Sequence, residues 1–199
     1  MFGATNFFNM RNIKEKYRQV IEEEKRIYMD YMFPSYNRYI LSRIKYEPAR
    51  MIWRWQHVAR VKDFYDEMRT MSRNPWYKLM YFLYVCKCNR YAQSLGLDVG
   101  TKHIGKGLLI YHGNNVINAY STIGENLHLH GGNVIGNKGP EDPQGAPVIG
   151  NNVTLGTGAK VIGRVHIADN IKIAAGAVVV HSFEETNIVI AGIPAKKIM

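Results

Sequence analysis

The chain has 199 residues, of which 46% are hydrophobic, and its 26 Lys and Arg residues against 16 Asp and Glu residues give a formal net charge of +10. No apolar run approaches the ~20 residues that span a bilayer, and no N-terminal stretch combines a basic region, an apolar run and a small-residue cleavage site. We therefore expect a cytoplasmic globular protein without an integral membrane segment.

The positive charge lies mainly in the first half of the chain. Residues 1–91 contain 18 of the basic residues and 9 of the acidic ones. This imbalance is compatible with a nucleic acid, an anionic membrane surface or a phosphate-bearing ligand, and also with an ordinary solvated helical surface. The aromatic residues of this half recur at helical spacing, which favours packing over base stacking, so we expect no nucleic-acid partner. A binding or scaffold role of this half is the non-enzymatic alternative.

Helices are predicted in this first half. Residues 12–33 are rich in charged residues and contain no Gly or Pro, and Pro34 ends the segment. Residues 49–71 place apolar side chains at three- and four-residue steps. Asn74 before Pro75 is typical of a helix cap followed by the first helical residue, and the helix that starts there continues to about residue 89.

From residue 104 onward an aliphatic residue returns at every sixth position. Nine of the eleven intervals between successive anchors are six residues long. This period is neither helical nor the two-residue alternation of a sandwich strand, and it is the signature of a hexapeptide-repeat β-helix. Three repeats form one triangular coil, whose sides are short strands with inward aliphatic side chains and whose corners need residues that tolerate a turn. The anchors are Ile104, Ile110, Ile117, Ile123, Leu129, Ile135, Ile149, Leu155, Val161, Ile167, Ile173 and Val179.

Two interruptions of the period mark candidate functional positions, because irregularities in a regular solenoid are where function tends to be placed. The first is a one-residue slip at residues 111–115, which puts His112 at a distorted, partly exposed corner. The second is residues 137–147, a Gly- and Pro-containing insertion that must leave the coil as a loop. Such a loop can reach over a neighbouring subunit, so we expect a site between chains.

Several segments of the second half together carry a resemblance to a known family. They are 104–107 leading into 112–113, 134–137, 155–163, 174–179 and 191–196. With them, residues 95–198 resemble the serine acetyltransferase branch of the left-handed β-helix (hexapeptide-repeat) acyltransferases. The resemblance implies a mainly β fold, in which an α-helical N-terminal segment (residues 1–92) precedes a left-handed parallel β-helix domain (residues 93–199).

The same resemblance implies an acetyltransferase. It implies a homotrimer that binds acetyl-coenzyme A between adjacent β-helices, and it leaves open whether two trimers pair. We expect no metal. His112 matches the catalytic base, and Asp98 lies nearest the place of the acidic residue that orients it. An imidazole with a pKa of about 6.5 can take the proton of a hydroxyl as it attacks a thioester. The positions that match the family's coenzyme contacts are Asn137, Thr157, Ala175 and Lys196.

One departure from the family concerns the acceptor. Where the family has Arg-His before the proline that re-enters the helix, this chain has Gly145 and Ala146 before Pro147. That pair helps hold an amino-acid acceptor, and loss of a partner for the carboxylate lowers discrimination by orders of magnitude. We therefore expect the acceptor to be a hydroxyl of a sugar or polysaccharide, in glycan modification. The residues that would suit a polyhydroxyl acceptor are Tyr111, Asn114 and Asn115.

Two other enzymatic interpretations stay open. One is a serine O-acetyltransferase of cysteine biosynthesis. The other is a zinc hydratase of the carbonic anhydrase kind, which uses the same fold and three histidine ligands. His112, His128 and His130 would be those ligands, although their spacing differs from that family's pattern.

Overall fold

The computed structural model describes residues 2–33, 35–45, 47–142 and 144–199. Pro34, which is predicted to end the first helix, lies outside the described residues. The chain divides into two compact units, Met1–Ser94 and Leu95–Met199. Helices fill most of the first half and short strands most of the second, so the chain as a whole is mixed α/β.

The helices of the first half are α1 (Phe2–Met32), α2 (Tyr36–Ile44), α3 (Pro48–Met71) and α4 (Pro75–Leu95). The helix predicted at residues 49–71 is confirmed as α3, whereas α1 and α4 are longer than predicted. The sequence does not predict α2, because nine residues are too few to display a helical period. Asn74 caps α4 as expected, since its Oδ1 accepts a hydrogen bond from the backbone N of Trp76 at 2.9 Å. No helix in the described part of the chain has both the length and the apolar character to cross a membrane.

A buried ion pair joins α1 to α3. The Arg60 Nη2 atom lies 2.6 Å from Glu24 Oε1, and the two side chains are 4% and 0% exposed. Beside this pair, the Tyr28 hydroxyl lies 3.2 Å from Gln56 Oε1 and donates to it. Removing one partner of a buried pair leaves an uncompensated charge, so loss of either side chain would destabilise the packing of these two helices.

The second unit is built from short strands. In chain order they are β1 (Asp98–Val99), β2 (Leu109–Ile110), β3 (Val116–Ile117), β4 (Thr122–Ile123), β5 (His128–Leu129), β6 (Val134–Gly136), β7 (Val148–Ile149), β8 (Thr154–Leu155), β9 (Lys160–Ile162), β10 (His166–Ile167), β11 (Lys172–Ile173), β12 (Val178–Val179), β13 (Val189–Gly192) and β14 (Ala195–Lys197).

Within the described residues these strands form three sheets. Sheet A has the order β1-β3-β6-β9-β12, sheet B has the order β4-β7-β10, and sheet C has the order β2-β5-β8-β11-β13-β14. The ladders are parallel except for β13 with β14, which pair antiparallel at the end of sheet C. Successive strands of the chain therefore belong to different faces of one parallel β-helix.

The predicted aliphatic anchors form the core of this β-helix. In sheet C, Ile110, Leu129, Leu155 and Ile173 lie in register on successive strands, and each is buried. Sheets A and B contain equivalent columns, in which Ile117 pairs with Ile135 and Ile123 pairs with Ile149. The hexapeptide prediction is confirmed, because the residue at every sixth position points into the prism.

The corner that follows sheet B consists of stacked asparagines. Asn126, Asn152 and Asn170 have φ values of 57°, 55° and 60°, in the left-handed region that asparagine tolerates better than most residues. Their amides are linked, since Nδ2 of Asn126 donates to Oδ1 of Asn152 at 2.8 Å and Nδ2 of Asn152 donates to Oδ1 of Asn170 at 2.9 Å. The predicted loop at 137–147 does leave the coil, between the end of β6 and the start of β7.

Replacing one anchor tests the columnar core. Leu155→Ala should lower the free energy of unfolding by about 2–5 kcal/mol, because it opens a cavity between Leu129 and Ile173. Lys172→Ala, on the exposed face of the same sheet, should change it by less than about 0.5 kcal/mol. Urea unfolding followed by circular dichroism measures both, and equal losses would contradict the inward orientation of Leu155.

Candidate active site

The slip in the repeat forms the corner between sheets C and A. The chain turns through residues 111–115 between the end of β2 and the start of β3, and His112 is exposed there. A Cβ on Gly113 would overlap the carbonyl oxygen of Leu95, so this position requires glycine. Asn114 follows with φ of 60°. The corner therefore presents the His112 imidazole to solvent instead of enclosing it in the prism.

Two buried asparagines hold this corner from the inside. Asn115 Nδ2 donates to the carbonyl oxygen of His112 at 2.7 Å, and Asn115 Oδ1 accepts from the backbone N of Asn133 at 3.0 Å. Asn133 Oδ1 in turn accepts from the backbone N of Gly131 at 3.0 Å, and its Nδ2 donates to the carbonyl oxygen of Gly156 at 2.7 Å. Buried amides paired in this way rigidify the backbone around them. The position of His112 thus depends on side chains in two successive coils.

These asparagines are not predicted as supporting residues. Asn115 is expected to contact an acceptor, but it is 0% exposed and cannot do so. The signal that could have identified the pair is their spacing, since Asn115 and Asn133 are 18 residues apart, which is one coil of three six-residue repeats.

Gly131 packs directly against His112. Its φ is +115°, and a Cβ built on it would lie 2.7 Å from Cβ of His112. Real Cβ atoms do not approach so closely, and few L-residues adopt this backbone conformation. Glycine at position 131 therefore leaves the space that the histidine side chain occupies.

Tyr111 and Asn114, the predicted acceptor contacts, both pack within the chain. The Tyr111 ring stacks on the His130 ring at 4.6 Å between centroids, and it lies edge-on to His128 at 6.2 Å. Burial, followed by the neighbouring His130, lowers the pKa of His128. The Asn114 side chain folds over Gly96, where a Cβ would overlap its Oδ1.

Asp98 is placed on β1 with its residue exposed. In the parallel ladder it pairs with Val116, and its backbone N donates to the carbonyl oxygen of Asn115 at 2.9 Å. Among the described residues, no hydrogen bond joins the side chains of Asp98 and His112. The structure therefore shows no direct orientation of the imidazole by this carboxylate.

Thr157 and Ala175 share one edge of the prism with His112. We call this the histidine edge, formed by residues 111–115, 130–133, 156–159 and 174–177. Its coils are linked vertically, since Gly158 N donates to the carbonyl oxygen of Gly131 and Gly176 N donates to that of Thr157, each at 2.9 Å. Thr157 and Ala175 are exposed, and within the described chain their backbone N–H groups have no hydrogen-bond acceptor. The histidine edge therefore carries two backbone N–H donors, of Thr157 and Ala175, on the same edge as the His112 imidazole.

Asn137 and Lys196 lie elsewhere in the same chain. Asn137 follows sheet A and secures the 137–147 loop, because its Nδ2 donates to the carbonyl oxygens of Gly139 at 2.8 Å and Asp142 at 3.2 Å. Lys196 is exposed on β14, the last strand of sheet C. Within one chain, the predicted coenzyme contacts therefore lie in different places: Thr157 and Ala175 are on the histidine edge, whereas Asn137 and Lys196 are not.

A cavity of about 390 Å³ lies beside this loop, between Lys138 and Arg164. Arg164 Nη2 contacts both carboxylate oxygens of Asp142, at 2.9 and 3.1 Å, and so ties the loop to the β9–β10 turn. A Cβ on Gly145 would overlap the Asp142 carboxylate, so a larger residue here would displace that side chain. In the described residues, no group of three or more His, Cys, Asp or Glu side chains is placed to hold a metal ion, so the zinc hydratase interpretation finds no ligand set.

The comparisons with known proteins agree with this fold. No family model matches the chain. The serine acetyltransferase of Staphylococcus aureus strain Mu50 is 37% identical over 111 residues, which cover 55% of this chain and 51% of that protein. The serine acetyltransferase of Helicobacter pylori strain 26695 is 31% identical over 132 residues, which cover 66% of this chain and 68% of that protein. The chain belongs to the serine acetyltransferase branch of the hexapeptide-repeat acyltransferases.

The fold of solved family members matches over nearly the whole chain. The serine acetyltransferase of Brucella abortus strain S19, crystallised in complex with coenzyme A, has 22% sequence identity and a TM-score of 0.71, and the match covers 98% of this chain and 72% of that one. The predicted left-handed β-helix preceded by helices is confirmed. The chain spans about half the length of the staphylococcal relatives it matches.

The prediction of a sugar or polysaccharide acceptor is wrong, because the relatives are named serine acetyltransferase. That prediction rested on the absence of Arg-His at Gly145 and Ala146 and on the side chains of residues 111, 114 and 115. The structure gives these residues contacts within the chain that do not depend on the kind of acceptor. The Asp142 carboxylate lies where a side chain on Gly145 would be, the Tyr111 ring stacks on His130, and the buried Asn115 amide donates to the His112 carbonyl oxygen.

The contact between Gly131 and His112 can be tested on stability. Gly131→Ala should lower the free energy of unfolding by about 1–3 kcal/mol, because it combines a strained φ with a clash against His112. Gly136→Ala is the matched control, since a Cβ there meets no atom within 4 Å. Thermal unfolding of both variants measures the difference, and a Gly131→Ala variant as stable as the control would contradict the close packing.

Proposed function

We propose that this chain is an acetyl-coenzyme A-dependent serine O-acetyltransferase acting in the cytoplasm, with His112 as its general base. The observation that carries the proposal is the exposed His112 imidazole on the same edge as the free N–H groups of Thr157 and Ala175. The names of the relatives support serine as the acceptor, and the coenzyme A complex of the Brucella protein supports the donor.

The chemistry requires a base because a serine hydroxyl is a poor nucleophile at neutral pH. The His112 imidazole takes the hydroxyl proton while the serine oxygen attacks the thioester carbonyl carbon. The tetrahedral intermediate collapses, the C–S bond breaks, and the imidazolium returns the proton to the sulfur. The products are O-acetylserine and coenzyme A. A backbone N–H of the histidine edge would stabilise the negative oxygen of the intermediate.

The histidine edge also suits the pantetheine arm of the coenzyme. This arm carries amide carbonyls that accept hydrogen bonds, and the N–H groups of Thr157 and Ala175 are the donors available to them. Small side chains at these positions let the arm approach the backbone. The exposed Lys196 is a candidate partner for the coenzyme's phosphates.

A homotrimer would unite residues that one chain keeps apart. The 137–147 loop and Asn137 occupy a different corner from the histidine edge, so they cannot complete a groove around His112 in the same chain. In a closed threefold assembly, the loop corner of one copy can face the histidine edge of the next. The acyl-transfer site would then be formed by two copies of the chain.

Removal of the base tests the proposed reaction. His112→Ala should lower kcat for thiol release from acetyl-coenzyme A with L-serine by about 10²–10⁴-fold, because the hydroxyl loses its proton acceptor. His103→Ala, at another exposed histidine, should retain the wild-type kcat. Light scattering shows whether both variants keep the wild-type oligomeric state. The proposal fails if the wild-type protein releases no thiol with L-serine, or if His112→Ala is as active as His103→Ala.

A further inference from the structure

The helical unit contains a cleft that the proposed acetyl transfer does not use. It is a cavity of about 450 Å³ between α1, α3 and α4. Its volume falls in the range of about 300–1,000 Å³ that is typical of small-molecule sites. Since all of its lining residues belong to the first unit, it is separate from the histidine edge.

Positive charge from each of these helices converges on the cleft. Lys25 comes from α1, Arg54 from α3 and Lys87 from α4. None of these cations forms an ion pair with a carboxylate in the described part of the chain. Glu22 is the one acidic residue among the described residues that line the cleft. Like charges held close together repel, and an anion bound between them would relieve that repulsion.

Aromatic rings supply flat surfaces next to these charges. The Arg54 Nη2 atom donates to the Tyr91 hydroxyl at 3.1 Å, and its guanidinium lies 5.4 Å from the centroid of the same ring. Trp53 lies on the same helix as Arg54 and also lines the cleft. Its ring is 5.8 Å from that of His57. A ligand with a planar ring could stack on these surfaces while its charged group meets the cations.

The His57 imidazole is close enough to two of these lysines to be affected by both. Desolvation lowers the pKa of its imidazole, and the positive charges of Lys87 and then Lys25 lower it further. Lysines on two different helices therefore impose a positive potential at the same ring. An anion seated there would interact with both.

We propose that this cleft binds a small phosphate ester that carries a planar ring, with the phosphate between Lys25, Arg54 and Lys87 and the ring against Trp53 and Tyr91. The limited volume of the cleft favours a small molecule over a polymer, because a polyanion needs an extended groove with stacking positions along it. Three of the basic residues of the first half would then belong to a defined binding site.

Phenyl phosphate is the probe, because it combines a dianion with one aromatic ring. Titration into the full-length protein by isothermal calorimetry should show saturable binding, while phenol should show none. The double variant Lys25→Ala/Lys87→Ala should bind at least about 10-fold more weakly, a loss of about 1.4 kcal/mol. The matched control is Lys14→Ala/Lys78→Ala, which removes one exposed lysine from each of the same two helices and should bind within about twofold of the wild type.

The outcomes separate a built site from general charge. Equal weakening in both double variants, or tighter binding of a single-stranded oligonucleotide that both variants weaken equally, would overturn the proposal in favour of a diffuse basic surface. Absence of saturable phenyl phosphate binding to the wild type would overturn it outright. As a control for folding, the melting temperature of each variant is compared with that of the wild type, and equal values would show that the variants are folded. Thiol release with L-serine should be unchanged in Lys25→Ala/Lys87→Ala, so failure of this proposal is distinguishable from failure of the acetyltransferase proposal.

Discussion

The register of the inward aliphatic side chains is the constraint on which the β-helix depends. Ile110, Leu129, Leu155 and Ile173 form one buried column because each coil is built from three six-residue repeats and the extra residues of two coils leave at corners. A shift of one residue would turn an anchor outward, and the chain accepts such a shift only where a corner absorbs it. Residues 111–115 are that corner. The same regularity that buries the anchors therefore forces the extra residue, and His112 with it, to the outside of the prism.

The corner is stable because its polar groups are satisfied internally. Asn115 and Asn133 are buried, and their amides bond to backbone groups of three successive coils. An unpaired amide in this place would cost about 1–3 kcal/mol, so the arrangement persists as a whole or is lost as a whole. Gly131 leaves room for the histidine side chain against this support. These contacts fix the backbone at position 112, and a fixed position relative to the substrate is what the proposed role of His112 would need.

Much of this architecture can be predicted from the sequence, because a six-residue period has one structural meaning and because a break in it is conspicuous. The period locates the β-helix, the loop and the exposed histidine. Features that depend on contacts between coils are harder to predict: the asparagine pair is visible as an 18-residue spacing only after the coil length is known. The acceptor could not be inferred from Gly145 and Ala146, since both lie in a loop that is shaped by contacts between distant residues, such as that of Arg164 with Asp142. The place of α2 is missed because a nine-residue helix carries too short a pattern.

The proposed acyl transfer requires the exposed imidazole of His112 to lie beside coenzyme A bound on the histidine edge. Nuclear magnetic resonance of the histidine ring protons during a titration with coenzyme A tests this claim without relying on turnover. We expect the His112 Hε1 signal to shift saturably, with the same dissociation constant that calorimetry gives for the coenzyme, while the His103 signal stays in place. Saturable binding of coenzyme A with no change at His112 would show that the coenzyme binds away from this imidazole.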